Sequence, residues 1–393
     1  MKIAVFHNLP SGGALRTLYD KISLFERRGN AVSVYTPETS ERDFLPLPKI
    51  SGELVIEPLR FKGLGRFGRY LSAGRRLAEK INASDADWVW VDKCRFFGSP
   101  PVLQYLTKPA IFYCHEPLGL GEYRLPASDG ANAGRALRSR FFQMPLGQKF
   151  KKIIHGYERF RIKREDQKSI RSAGLVMTSS HFAARWLKRV YGVDAVVNYQ
   201  GVDADRFRPD PAAAKQSHVL SVGRIEERKN HDFLVRAISR IPPAARPPLV
   251  IACDDVDEDL FRRLERESRA LGVETRIRYR PSQEELVKLY QSARLVLCAA
   301  RSEPFGLVPL EAMACGTAVV AMRDGGFPEV VDDGRTGFLM EPDEAAWGAK
   351  IQECLAGRER MSRMGEAGRQ EILSKWMWSA FADRMENFIR EIL

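Results

Sequence analysis

Ten short apolar runs recur along the chain, most of them followed by a loop and a helical repeat, and this alternation constrains the fold more than any other feature. The runs lie at residues 3–6, 31–35, 88–91, 110–113, 175–178, 219–222, 249–252, 276–279, 295–297 and 318–321. Runs this short and mostly apolar read as strands covered on both faces, which is the condition of a parallel sheet. Between them, residues 15–28, 182–190, 233–241, 260–271 and 284–293 carry apolar side chains at helical spacing. Strand–helix alternation of this kind predicts doubly wound α/β architecture.

The alternation breaks once. Residues 198–216 hold Gly201, Pro209 and Pro211 without apolar periodicity and read as a linker, with five predicted strands on each side. At roughly 100–200 residues per domain, a chain of 393 residues supports two domains. We expect one over 1–200, a second over 201–374, and an amphipathic helix over 375–393 carrying Trp376, Trp378, Phe381, Met385 and Phe388. Residues 118–134, rich in Gly, Ala and polar residues, read as a mobile loop.

No stretch approaches the roughly 18 apolar residues that span a bilayer, and the first apolar run is too short for a secretory signal. The six cysteines show no CxxC spacing and lie mostly in apolar surroundings, as buried reduced thiols do. These features predict a cytoplasmic protein. The net charge of +12 is concentrated in the first half. Residues 135–171 carry twelve Lys/Arg against Glu158, Glu165 and Asp166, and residues 59–80 carry seven against Glu79. The first of these segments interleaves its cations with Phe141, Phe142, Phe150, Tyr157 and Phe160. Such a pattern suits an anionic membrane surface, and we expect peripheral binding on the inner face through 59–80 and 135–171.

The most informative motif is Arg301-Ser302-Glu303-Pro304-Phe305-Gly306-Leu307-Val308-Pro309-Leu310-Glu311, which follows an apolar strand and opens a helix. Gly306 permits close backbone approach to a ligand, and the start of a helix suits a phosphate. Glu303 is placed to hold sugar hydroxyls and Glu311 both hydroxyls of a ribose. A second motif, Gly223-Arg224-Ile225-Glu226-Glu227-Arg228-Lys229, follows the strand at 219–222. It sets Arg224 and Lys229 above the C-terminal edge of a sheet, where open α/β folds bind ligands. There they can stabilise the negative charge of a departing diphosphate. Gly12 and Gly13 follow the first strand without forming a GxGxxG fingerprint. His115, at the end of the strand at 110–113, is expected to bond a donor-sugar hydroxyl or align the acceptor. The DxD-like Asp203-Ala204-Asp205 and Asp255-Val256-Asp257 read as turn and capping carboxylates, and no metal is expected.

On these residues the chain resembles family 4 of the glycosyltransferases, retaining enzymes of the GT-B fold, over nearly its whole length. Glu303 and Glu311 match the family's pair of glutamates with seven residues between them. Gly223, Arg224 and Lys229 match its diphosphate segment, Gly12 and Gly13 its glycine loop, and His115 its cleft histidine. The segments Gly325-Gly326-Phe327-Pro328-Glu329-Val330-Val331 and Gly334-Arg335-Thr336-Gly337-Phe338-Leu339 resemble its downstream strands. The resemblance implies two Rossmann-like domains facing across a cleft, with the last helix crossing back to the first domain. It implies a nucleotide-diphosphate sugar donor, UDP- or GDP-linked, held by the second domain. Arg224 and Lys229 would grip the diphosphate, helped by backbone N–H groups of Phe305, Gly306, Leu307 and Val308. Glu311 would take the ribose and Glu303 the sugar. It implies transfer of a hexose to a glycan or lipid-linked acceptor with retention, by same-face attack and without a protein nucleophile or a metal cofactor. Ile251-Ala252-Cys253-Asp254-Asp255 and Arg280-Pro281 depart from the family pattern at the expected nucleobase contacts.

Two alternatives fit parts of the sequence. A non-catalytic nucleotide-sugar binder would need the same grip without turnover. A nucleic-acid binder would use the basic charge, but no helix-turn-helix, zinc-finger or RNA-recognition signature accompanies it, and no nucleic-acid partner is expected.

Overall fold

The computed structural model describes residues 1–10, 12–40, 46–59, 66–117 and 146–392. The expected loop at 118–134 lies outside the described residues, as do 60–65 and 135–145 of the two basic stretches. The chain divides into two compact units. One comprises Met1–Pro10, Phe25–Thr178 and Ala184–Val196, and the other Ser11–Leu24, Ser179–Ala183 and Val197–Leu393.

The first sheet is built from β1 (Lys2–Asn8), β2 (Ala31–Pro37), β3 (Leu54–Glu57), β4 (Trp88–Cys94), β5 (Ala110–Tyr113), β6 (Leu175–Thr178) and β7 (Val196–Val197), in the order β3-β2-β1-β4-β5-β6-β7. Helices α1 (Gly13–Arg27), α2 (Arg66–Ala83), α3 (Leu146–Arg171) and α4 (His181–Tyr191) lie between its strands in the chain. The second sheet holds β8 (Val219–Val222), β9 (Leu249–Cys253), β10 (Thr275–Tyr279), β11 (Leu295–Cys298), β12 (Val319–Met322) and β13 (Gly337–Met340), in the order β10-β9-β8-β11-β12-β13. Its helices are α5 (His231–Ser239), α6 (Glu258–Leu271), α7 (Gln283–Ser292), α8 (Leu307–Ala314), α9 (Phe327–Val330), α10 (Glu344–Ala356), α11 (Arg358–Lys375) and α12 (Trp378–Ile392). Strand pairings such as β1 with β4 and β8 with β11 are parallel. Both sheets are thus Rossmann-like, and each reverses its winding once, between β1 and β4 and between β8 and β11. At such a switch point neighbouring crossover helices leave on opposite faces and open a crevice at the strands' carboxyl ends.

All ten predicted strands are present. The apolar runs carry them because central strands are buried on both faces, as in β4 (Trp88, Val89, Trp90 and Val91) and β11 (Leu295, Val296 and Leu297). The six cysteines are free and buried. No described helix is long and apolar enough to cross a membrane.

Two expectations need correction. Residues 198–216 are irregular but not a loose linker. Val202, Ala204 and Phe207 are buried in the second unit's core, and the Val202 amide donates to the Trp376 carbonyl at 2.9 Å. The stretch 375–393 is not one helix: α11 ends at Lys375 and α12 begins at Trp378, with the chain turning through the buried Trp376. The two DxD-like segments do serve as turn and cap. Asp203 Oδ1 accepts from the amides of Asp205 and Arg206, and Asp257 Oδ1 from those of Asp259 and Leu260 at the start of α6.

Candidate active site

The motifs after β8 and after β11 flank the switch point of the second sheet. β8 ends at Val222 and the chain turns at Gly223, whose φ is +147°. A Cβ at Gly223 would lie 3.0–3.2 Å from the Cδ, Cε and Cγ of Lys229. The bare glycine therefore lets the lysine stem lie across its own loop. Lys229 Nζ donates to Glu303 Oε2 at 2.8 Å, and Arg228 Nη1 stands 3.8 Å from the same oxygen. The two loops are also joined through the backbone, where the Arg301 amide donates to the Arg228 carbonyl at 2.9 Å.

Glu303 is held from the other side by glycines. Gly325 has a φ of +64°, and a Cβ there would stand 2.4 Å from the Glu303 carbonyl oxygen and 2.6 Å from its amide nitrogen. The Gly326 amide donates to that carbonyl at 2.7 Å. After Glu303 the chain passes Phe305, whose ring is buried against Tyr199 and Trp376. It then enters α8 at Gly306, with φ +142° and no side-chain cap. The first amides of α8 thus lack an intrahelical acceptor and a side-chain cap, a ready seat for an anion. Leu307 and Val308 are half-buried in this first turn.

Glu311 projects from α8 into the interior. Tyr290 on α7 donates to its Oε2 at 2.7 Å, and Arg16 on α1 donates to its Oε1. Burial pushes the Glu311 carboxyl up, and the charge of Arg16 and the Tyr290 hydroxyl pull it back. The Arg16 guanidinium also lies 5.6 Å from the centre of the Phe207 ring. Gly12 and Gly13 precede Arg16. A Cβ on Gly12, at φ +128°, would meet Asp254 Oδ2 at 3.0 Å and Arg224 Nη2 at 3.6 Å, and one on Gly13 would meet Leu307 Cδ1 at 3.8 Å. Arg224 itself stands between Asp254 and Asp255, at 3.8 and 3.7 Å. Arg280 follows β10 with φ +49°, is exposed, and donates its amide to the Cys253 carbonyl at 2.7 Å.

The structure therefore links Gly12 to Arg224, Gly13 to Leu307, Lys229 to Glu303 and Arg280 to the end of β9, all within the second unit. His115 belongs to the first unit. It follows β5, with Nε2 3.1 Å from Oδ1 of the fully buried Asp92 on β4. Sequence reasoning missed Arg16, Tyr290 and the pairing of Asp254 with Arg224. Arg16 carried a faint signal, a cation in the first turn of a helix, where the dipole disfavours it. Tyr290 read as an ordinary core position on an amphipathic helix.

A family model described as Glycosyltransferase Family 4 matches residues 11–206, and one described as Glycosyl transferases group 1 matches residues 203–371. A D-inositol 3-phosphate glycosyltransferase of Catenulispora acidiphila is 35% identical over 247 residues, covering 56% of this chain and 57% of its own. The chain spans about half the length of the curated relatives it matches. Among solved structures, sucrose-phosphate synthase from Thermosynechococcus elongatus aligns with a TM-score of 0.73 at 20% identity, over 99% of this chain and 98% of that one. HepE of Anabaena, in complex with UDP and glucose, aligns with a TM-score of 0.71 at 18% identity over 99% of both chains. At these identities the likeness is one of fold. Matched by the two family models from residue 11 to residue 371, and built as two parallel-sheet Rossmann-like units, the chain belongs to family 4 of the glycosyltransferases and has the GT-B fold.

Proposed function

We propose that the chain is a retaining glycosyltransferase that moves a hexose from a UDP- or GDP-linked donor to a glycan or lipid-linked acceptor without a metal. The observation that carries this reading is the ion pair of Lys229 and Glu303 beside the uncapped start of α8, with Glu311 further along the same helix. The diphosphate is read against the α8 amides and the Arg224 and Lys229 side chains, the ribose against Glu311 and the sugar against Glu303. When the C1–O bond breaks, its electron pair stays on the diphosphate, and the two cations stabilise that charge. The acceptor hydroxyl attacks C1 from the face the leaving group vacates, and its proton passes to the departing phosphate. The products are the glycoside with its anomeric configuration kept and the nucleoside diphosphate.

Incubation with UDP- and GDP-sugars, scored for nucleoside diphosphate release, tests the assignment. Hydrolysis of donor without acceptor distinguishes an enzyme from a passive binder, and NMR of the product's anomeric proton tests retention. Arg224→Ala and Lys229→Ala should each lower turnover by about 10²–10³-fold, the usual cost of removing one group that stabilises developing charge. Activity should survive EDTA; loss that Mn²⁺ or Mg²⁺ restores would overturn the metal-free reading.

Two observations bear on the acceptor. On α3, Tyr157 and Phe160 are 60% and 63% exposed, and Arg161 lies 4.5 Å from the Phe67 ring on α2. Exposed aromatics among cations support docking on an anionic bilayer and a lipid-linked acceptor. Flotation with phosphatidylglycerol vesicles should exceed that with phosphatidylcholine, and equal recovery would count against docking. The curated relatives are named for D-inositol 3-phosphate, which favours a phosphorylated cyclitol as a second acceptor class to assay.

A further inference from the structure

His231 opens α5 two positions after Lys229, and its imidazole is buried beneath the loop that carries Arg224. Its Nε2 stands 3.1 Å from the Arg224 carbonyl oxygen and 3.3 Å from that of Gly223. Its Nδ1 stands 3.2 Å from the hydroxyl of Ser221, on β8. Carbonyl oxygens only accept, so Nε2 must carry the proton. A neutral ring then offers a lone pair at Nδ1, and the Ser221 hydroxyl donates to it. Burial, the dominant influence, holds the ring's pKa down to about 4, with Lys229 adding to the depression. The ring is therefore neutral at physiological pH, and its tautomer is fixed by its three partners.

The consequence is geometric. The two carbonyls that His231 holds belong to the peptide planes on either side of the Arg224 Cα. Fixing them sets the direction in which the Arg224 side chain leaves the loop. They also define the surface of Gly223 against which the Lys229 stem rests. The preceding residue adds a second tether: Asn230, at φ +60°, donates through Nδ2 to the Ala299 carbonyl at 3.1 Å, just beyond β11. β8, the cationic loop and the β11 loop are thereby tied to one helix start. We propose that His231 is a positioning residue whose neutral imidazole holds the Gly223–Arg224 backbone so that Arg224 and Lys229 converge on a nucleoside diphosphate. The proposal rests on reading Arg224 and Lys229 as the diphosphate grip.

The test separates the phosphate contribution from the rest of binding. Dissociation constants are measured by calorimetry for uridine and UDP, and for guanosine and GDP, on the full chain. The proteins are wild type, Arg224→Ala, His231→Leu and His231→Gln. In wild type the diphosphate should tighten binding of one nucleoside strongly. His231→Leu should shrink that gain at least tenfold while leaving the bare nucleoside's affinity unchanged, which general destabilisation would not do. His231→Gln, which keeps a donor and an acceptor, should recover most of it. If Arg224→Ala removes the gain and His231→Leu does not, the inference about His231 fails and the donor reading stands. If wild type gains nothing from the diphosphate, the donor reading itself fails. Should His231→Leu not fold, ¹⁵N spectroscopy of the wild-type imidazole decides. A ring protonated at Nε2 and not titrating down to pH 5 is expected, and a ring protonated at Nδ1, or titrating near 6.5, overturns the proposal.

Discussion

Glu311 shows how strongly a single side chain can depend on a partner distant in the sequence. The residue is 3% exposed, and its carboxylate is charge-balanced by Arg16, with the Tyr290 hydroxyl on its other oxygen. Breaking one partner of a buried pair leaves an uncompensated charge, at a cost of about 3–5 kcal/mol. Arg16→Met should therefore lower the thermal midpoint sharply and weaken nucleotide binding as well. Tyr290→Phe should cost about 1–3 kcal/mol, the range for leaving one buried acceptor without its donor. Thermal melts of the two variants check both values, and an unchanged midpoint for Arg16→Met would contradict the geometry described. The placement of Arg224 and Lys229 after β8, and of Glu303 and Glu311 after β11, was legible in the sequence because loop motifs after strands have a fixed order. Arg16 was not, because the contact joins residues 295 positions apart and nothing local to either residue announces it.

At the level of elements, legibility followed burial. Central strands covered on both faces are apolar throughout and were visible. β3 was missed because Leu54 and Ile56 are exposed and the strand lies at the sheet edge. β7 is only two residues long, whereas β13 falls at the second of the two segments expected as downstream strands, and the first of them holds the short helix α9 instead. The segment 198–216 misled because its buried residues, Val202, Ala204 and Phe207, follow neither strand nor helical spacing. The final helix was legible as amphipathic, but its start was not, since Trp376 is apolar on either side of the turn. In α12, Phe381 is fully buried, and together with Trp378 it flanks the ammonium of Lys21, at 5.0 and 5.5 Å. Phe381→Ala should cost about 3–5 kcal/mol, the range for deleting a buried aromatic ring, read as a lower urea midpoint with the slope retained.

For the whole molecule, the two units share one acid sensitivity. His7 in the first and His231 in the second are each held by burial at a pKa of about 4. The unfolded chain binds protons near pH 6.5 that these folded rings refuse. Stability from this source is full above 6.5 and is lost as pH falls toward 4, by about 2 kcal/mol per histidine at pH 5. Asp166, pushed up to about 6 by burial, acts in the opposite sense over part of that window. The readout is therefore the difference between wild type and the His7→Gln/His231→Gln double variant. Between pH 7 and pH 5 in guanidinium melts, wild type should lose more stability than the variant, and parallel profiles would contradict the assignment. The Lys229–Glu303 pair carries a last consequence for turnover. On the proposed reading, a nucleoside diphosphate that draws Lys229 to itself leaves Glu303 with the more distant Arg228, and a sugar's hydroxyls make up for the contact the carboxylate has lost. The spent nucleotide would then be the poorer ligand of the two, so the contact that pairs Lys229 in the resting site would hasten the exit of the product.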